Sequence, residues 1–234
     1  MTYHSIRQII EQSKMEGRTV LTEIESKQLF AEAGIQVINT KLATNREQAV
    51  TLSKEIGFPV AMKIISPDIS HKSDVGGVRL NLQTPEEVSK AFEDILATIK
   101  ENYPKATVHG TSVQTMARPG TEIIIGMFKD PQFGPVLMFG LGGIFVEILK
   151  DVSFRIVPLT QKDAKEMIRE IKGYPLLEGY RGREKVDVSN LESILLKISN
   201  FVEQYPEIKE FDLNPIFAYR NGVVVVDARV ILAE

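Results

Sequence analysis

Apolar positions recur mainly at helical spacing in the first half of the chain, and mainly in short alternating runs in the second. Ile6, Ile9 and Ile10 line one face of a helix predicted over Ser5–Met15, ending near Gly17. Thr22 and Glu25 read as a capping box opening a helix to Gly34, and a short strand follows over Ile35–Leu42. Thr44 and Glu47 open another helix, which stops at Gly57 ahead of Pro59. After a strand carrying Lys63 and another over Val78–Leu82, Thr84, Pro85 and Glu87 start the most regular helix. Its apolar face is Val88, Ala91, Phe92, Ile95, Leu96 and Ile99.

Beyond Pro104 the texture changes. Thr107–Met116, Thr121–Phe128, Pro135–Phe139 and Phe154–Val157 read as strands between Pro and Gly punctuation. Helices are predicted over Asp163–Lys172 and Leu191–Tyr205, the second capped by Ser189 with Glu192. The pattern predicts an α/β protein: an N-terminal helix (residues 1–20) and two α+β lobes (21–106 and 107–234), with a ligand between the lobes.

The chain closes with a predicted hairpin, Phe211–Tyr219 and Val223–Val230, joined by Asn221-Gly222, a dipeptide that favours a two-residue type I′ turn. That register pairs Arg220 with Val223, sets Ile216 opposite Asp227, and makes Asp227 a diagonal neighbour of Asn214. Alternation then puts Asp212, Asn214 and Asp227 on one face, and Phe211, Leu213, Phe217, Tyr219, Val224, Val226 and Val230 on the core face. Three hard oxygen donors suit Mg²⁺, which keeps water and substrate phosphate among its ligands. Any half-buried hairpin also turns polar residues outward, so the pattern has a bland reading as well.

The most informative stretch is Pro59 to Leu80, PVAMKIISPDISHKSDVGGVRL. It places Lys63 on a strand, His71 in a polar loop, and Gly76-Gly77 at the loop's end. A lysine supplies a point charge for polyphosphate, and glycine lets backbone N–H groups approach phosphate oxygens closely. Histidine at the centre of such a loop is either a solvated residue or a base, nucleophile or ligand.

Two further runs are ambiguous. Gly140-Leu141-Gly142-Gly143 is an anion-binding nest or a tight bend; it is neither a P-loop nor a dinucleotide fingerprint. Gln114-Thr115-Met116 is a hinge for an adenine edge or an ordinary strand end. His4 and His109 belong to no constellation. The absence of cysteine excludes disulfides, thiolate chemistry and sulfur-built zinc sites. A net charge of -3 gives no footprint for nucleic acid. No run suits a membrane span and no signal-peptide pattern opens the chain, so cytoplasm is the expected compartment.

Together these pieces resemble an ATP-grasp domain. More narrowly, SHKSDVGGV, FGPVLMFGLGGIFVEILKDVSFRIVPL and FDLNPIFAYRNGVVVVDARV resemble the β subunit of ADP-forming acetyl-CoA synthetase. The resemblance implies two subdomains with ATP or ADP between them, and Lys63, Gly76 and Gly77 at the phosphates. It implies Gln114, Thr115 and Met116 as the adenine hinge, with Glu122 near adenine or ribose, and Mg²⁺ on Asp212, Asn214 and Asp227. His71 becomes a phosphohistidine relay. The partner is an α subunit carrying the CoA-binding domain and its own phosphorylated histidine, in an α2β2 heterotetramer. Glu147 and Arg155 are given no role. Two rival readings are a ligase that makes acyl phosphate directly from ATP, and a nucleotide-sensing subunit without catalysis.

Overall fold

The computed structural model describes residues 5–69, 71–143, 146, 148–182 and 184–233. Contacts divide the chain into two compact units, one of residues 22–24 and 38–118, the other of residues 1–21, 25–37 and 119–234. The sequence boundaries at 20/21 and 106/107 differ from this division. The strand at Gly110–Thr115 is hydrogen-bonded inside the first unit, which keeps the chain in that unit beyond residue 107.

The smaller unit contains β1 (Thr40–Ala43), α3 (Arg46–Ile56), β2 (Val60–Ile65), β3 (Val78–Leu82), α4 (Pro85–Asn102) and β4 (Gly110–Thr115). Its antiparallel sheet has the order β1-β4-β2-β3. Val60, Met62 and Ile64 of β2 join Val113 of β4 and Val88, Phe92, Ile95 and Ile99 of α4 in one apolar cluster. Because side chains alternate along a strand, Lys63, Ser112 and Gln114 point to the opposite face of this sheet, and all three are buried. Thr84 caps α4 as its side chain accepts from the Glu87 N–H, with Pro85 in the first turn.

The larger unit contains α1 (Ile6–Met15), most of α2 (Glu23–Glu32), β5 (Thr121–Asp130), β6 (Gly134–Leu141) and β7 (Val152–Ile156). It continues with α5 (Gln161–Glu170), α6 (Tyr174–Leu177), α7 (Val188–Gln204), β8 (Ile208–Ala218), β9 (Val223–Val225) and β10 (Ala228–Leu232). The sheet runs β10-β8-β5-β6-β7, with β9 also on β8, and its named pairs are antiparallel. Ile123, Ile125 and Met127 of β5 pack with Leu29, Phe30, Met167, Leu195 and Phe201 from the helices. Phe30 meets the rings of Phe201 and Phe211 at 5.4 and 5.1 Å.

Local expectations shift in several places. The α3 cap is Asn45 accepting from Gln48, one residue beyond Thr44, and Gln48 in turn accepts from the Thr44 N–H. The α7 cap is Asp187, not Ser189, and its side chain accepts from the Asn190 N–H. Neighbouring polar residues compete for such positions, and asparagine and aspartate cap at least as well as serine and threonine. Within the predicted strand Ile35–Leu42, only Thr40 to Leu42 belong to β1, while Val37 forms an isolated bridge to Val225. Among the described residues, no helix is long and apolar enough to cross a membrane.

Candidate active site

In the smaller unit, the loop between β2 and β3 carries His71. Its imidazole is exposed and, among the described residues, meets no hydrogen-bond or ion-pair partner. The loop closes on itself: the Gly76 N–H donates to the Ser73 carbonyl (3.1 Å) and the Gly77 N–H to the Lys72 carbonyl (2.8 Å). Gly77 has no room for a side chain, since a Cβ there would lie 2.6 Å from Ile64 Cγ2 and 2.9 Å from the Lys72 oxygen. Gly76 has φ +69°, the region that favours glycine. The two glycines therefore shape the loop, and their N–H groups are engaged within it rather than turned toward a phosphate. Ser70 lies outside the described residues.

Lys63 is buried, and its Nζ donates to Glu23 Oε1 at 2.9 Å. Lys72, the residue after His71, donates to Glu23 Oε2 at 2.6 Å. Nothing in the local pattern joins Glu23 to this loop, because an acidic residue in a first helical turn is expected on local electrostatics alone. Gln114, on the same sheet face as Lys63, accepts a hydrogen bond from Thr40 Oγ1 at 3.2 Å. Thr115 ends β4 exposed. The Met116 N–H is already donated to the Pro59 carbonyl (3.0 Å), so of the two Met116 backbone groups only its carbonyl is left to meet an adenine edge.

In the larger unit the closing hairpin departs from strict alternation. Ala218 pairs with Val223 and Ile216 with Val225, two residues short of the predicted register. The same offset resumes at Leu213 opposite Ala228 and Asp212 opposite Arg229. Between them Asn214 comes directly opposite Asp227, and the Val226 N–H donates to the Pro215 carbonyl at 3.0 Å. Against β5, β8 carries one extra residue: Ile123 faces Ile216, yet Ile125 faces Leu213. This bulge at Asn214-Pro215 follows from proline, which has no N–H to continue the ladder.

The bulge reverses which residues face the core. Phe211 and Leu213 are in it as expected, but so are Ile216, Ala218, Val223 and Val225, while Phe217, Tyr219 and Val224 are only partly buried. Asp212, Asn214 and Asp227 nevertheless share a face, opposite the buried Leu213 and Ala228, and Glu122 lies on that face of β5. Burial, then the nearby charge of Asp227, push the Asp212 carboxyl up to about 6, with Arg229 opposing the shift. Among the described residues, no group of three or more His, Cys, Asp or Glu side chains gathers at metal spacing. The hairpin offers two carboxylates and one amide oxygen. That set suits a hard cation completed by water and phosphate, and the strain between like charges is the kind a divalent ion relieves.

Gly140 and Leu141 are strand residues of β6, and the Gly142 N–H donates to the Glu122 carbonyl at 2.8 Å. A Cβ on Gly143 would sit 3.2 Å from Glu122 Oε2, so this run packs tightly beside Glu122. Arg155 is paired with Glu170 at 2.7 Å. His109 is exposed. His4 and Glu147 lie outside the described residues.

Comparison with known proteins places these features in context. A model of the ATP-grasp domain matches residues 12–232. The β subunit of acetate–CoA ligase [ADP-forming] I from Pyrococcus furiosus is 52% identical over 226 residues, 97% of each chain. A chain of acetyl-coenzyme A synthetase 1 from Ca. Korarchaeum cryptofilum, solved with coenzyme A and Ca-AMPCP, superposes with a TM-score of 0.95. It is 50% identical, over 98% of this chain and 100% of that one. The same synthetase, solved with coenzyme A and Mg-AMPPCP and with a phosphohistidine segment pointing towards the nucleotide binding site, gives 0.86 at 48% identity, again over 98% and 100%.

Proposed function

The chain belongs to the ATP-grasp family, and from that premise we propose that it is the nucleotide-binding β subunit of an ADP-forming acyl-CoA synthetase. The overall reaction is acyl-CoA plus ADP plus phosphate giving carboxylic acid plus ATP plus CoA. This chain performs the nucleotide half and a partner subunit the acyl half. The assembly is an α2β2 heterotetramer in the cytoplasm.

One observation carries the reading: His71 stands exposed in a loop whose next residue is an anchored cation, Lys72. A neutral His71 nitrogen attacks the phosphorus of a phosphohistidine presented by the partner. The new N–P bond forms as the old one breaks, the partner's imidazole keeps the electron pair, and one ring gives up the proton the other takes. An ADP β-phosphate oxygen then attacks the same phosphorus and His71 leaves. Lys63 offsets phosphate charge, Gln114 to Met116 flank the base, and Glu122 lies toward adenine or ribose. Gly76 and Gly77 serve by holding the loop's turn. Asp212, Asn214 and Asp227 would hold Mg²⁺, which neutralises phosphate oxygens when bound.

The test is phosphate exchange between labelled ADP and ATP in the complex reconstituted with its α subunit. Rapid exchange that disappears in His71→Ala is expected. Exchange undiminished in His71→Ala would favour direct acyl-phosphate formation, and bound nucleotide without any exchange would favour a sensing subunit.

A further inference from the structure

Two lysines of the smaller unit converge on one carboxylate. Lys63 Nζ lies 2.9 Å from Glu23 Oε1, and Lys72 Nζ 2.6 Å from Glu23 Oε2. The Glu23 side chain has no exposed surface, and the two lysine side chains keep only 7% and 16% of theirs. A carboxylate so fully removed from water is tolerated when counter-charges touch it and its oxygens accept hydrogen bonds, and here each oxygen has an ammonium donor.

The two lysines differ in what else holds them. Lys63 sits in mid-strand, paired with Ser112 on one side and Val78 on the other, so its backbone is already fixed. Lys72 sits in a turn. Its carbonyl is held by the Gly77 N–H, and its side chain by Glu23. Consecutive Cα atoms are ~3.8 Å apart, so pinning Lys72 at both ends confines the backbone of His71 while leaving its ring exposed.

We propose that Glu23 is a positioning residue for phosphoryl transfer: its buried carboxylate rivets the His71 loop, through Lys72, to the strand that presents Lys63. The proposal rests on His71 being the phosphoryl carrier. Glu23 touches no reacting atom. It fixes the distance between an otherwise mobile acceptor and a rigid cation, and such preorganisation governs rate more than affinity.

The experiment uses the full chain and three variants. Lys72→Met severs the loop end of the rivet and leaves the Lys63–Glu23 pair intact, which avoids the folding defect Glu23→Gln risks by stranding two ammonium groups. Lys72→Arg keeps the bridge, and Glu23→Gln is compared where it folds. Hydrogen exchange of the amides from Lys72 to Gly77 should be ~10-fold faster in Lys72→Met and near wild type in Lys72→Arg. The single-turnover rate of His71 phosphorylation by Mg·ATP should fall ~10–100-fold in Lys72→Met, with the Kd for Mg·ATP within about threefold, and recover in Lys72→Arg. Unchanged exchange in folded Lys72→Met overturns the rivet. Equal losses in rate and affinity overturn it as well, because they mark general damage. If the wild type itself takes no phosphate while binding nucleotide, with the α subunit present as well as without it, the carrier assignment fails, and the exchange result alone still decides whether Glu23 docks the loop.

Discussion

At the His71 loop, two lysines share one buried glutamate, whereas on the closing hairpin two aspartates of like charge lie on one face. In the loop, each of the three charges touches an opposite one, two ammonium groups sharing one carboxylate. On the hairpin, burial and then Asp227 push Asp212 up to about 6, with Arg229 opposing the shift. The contrast separates two kinds of preparation. The loop is held by attraction within the chain, whereas the hairpin sets like charges together, which the proposed Mg²⁺ would offset.

The comparison breaks most visibly at His71. His71→Ala should lower phosphate exchange by at least ~10³-fold, about 4 kcal/mol of transition-state stabilisation, with the Kd for nucleotide nearly unchanged.

Asp212→Asn probes the hairpin. Its folded-state pKa of about 6 lies above the ordinary 3.8, so folded protein binds more protons than unfolded across that window. The stability this carboxyl contributes is therefore fully present below pH 3.8 and lost as pH rises through 6. In metal-free protein at pH 7, Asp212→Asn should raise stability by about 1–3 kcal/mol and flatten the decline between pH 4 and 6. The same variant should lose most of the stabilisation Mg²⁺ gives the wild type. Denaturant melts across pH, with and without Mg²⁺, check both signs.

Gly77→Ala forces a methyl against Ile64 and the Lys72 carbonyl, and should cost about 1–3 kcal/mol by thermal melt. A wild-type melting temperature would show that the loop is looser than its hydrogen bonds imply. Asn214→Ala, which removes one neutral donor, should weaken Mg²⁺ binding by about 1 kcal/mol, with stability in the absence of metal little changed.

Much of this was legible in the chain. The Gly76-Gly77 return and the α4 face follow from local rules and stand in the structure; the closing hairpin stands too, but two residues off the register that a two-residue Asn221-Gly222 turn would set. What was misread had two causes. A single extra residue at Asn214-Pro215 moved Phe217 and Val224 out of the core and Ile216 and Val225 into it, because side-chain period 2 turns one residue into a change of face. Asp212 and Asn214 kept their face because both precede the bulge's end. Glu23 was invisible for a different reason: it meets Lys63 across 40 residues of sequence and Lys72 across 49, and nothing in its neighbourhood announces a partner so far away.

The central claim is that His71 carries phosphate. Peptide and intact-mass spectrometry after incubation with Mg·ATP, with and without the α subunit, tests it under conditions that preserve phosphohistidine. One phosphate on the peptide containing His71, and none in His71→Ala with nucleotide still bound, is the predicted result. Bound nucleotide with His71 unmodified, even in the complete complex, would contradict it.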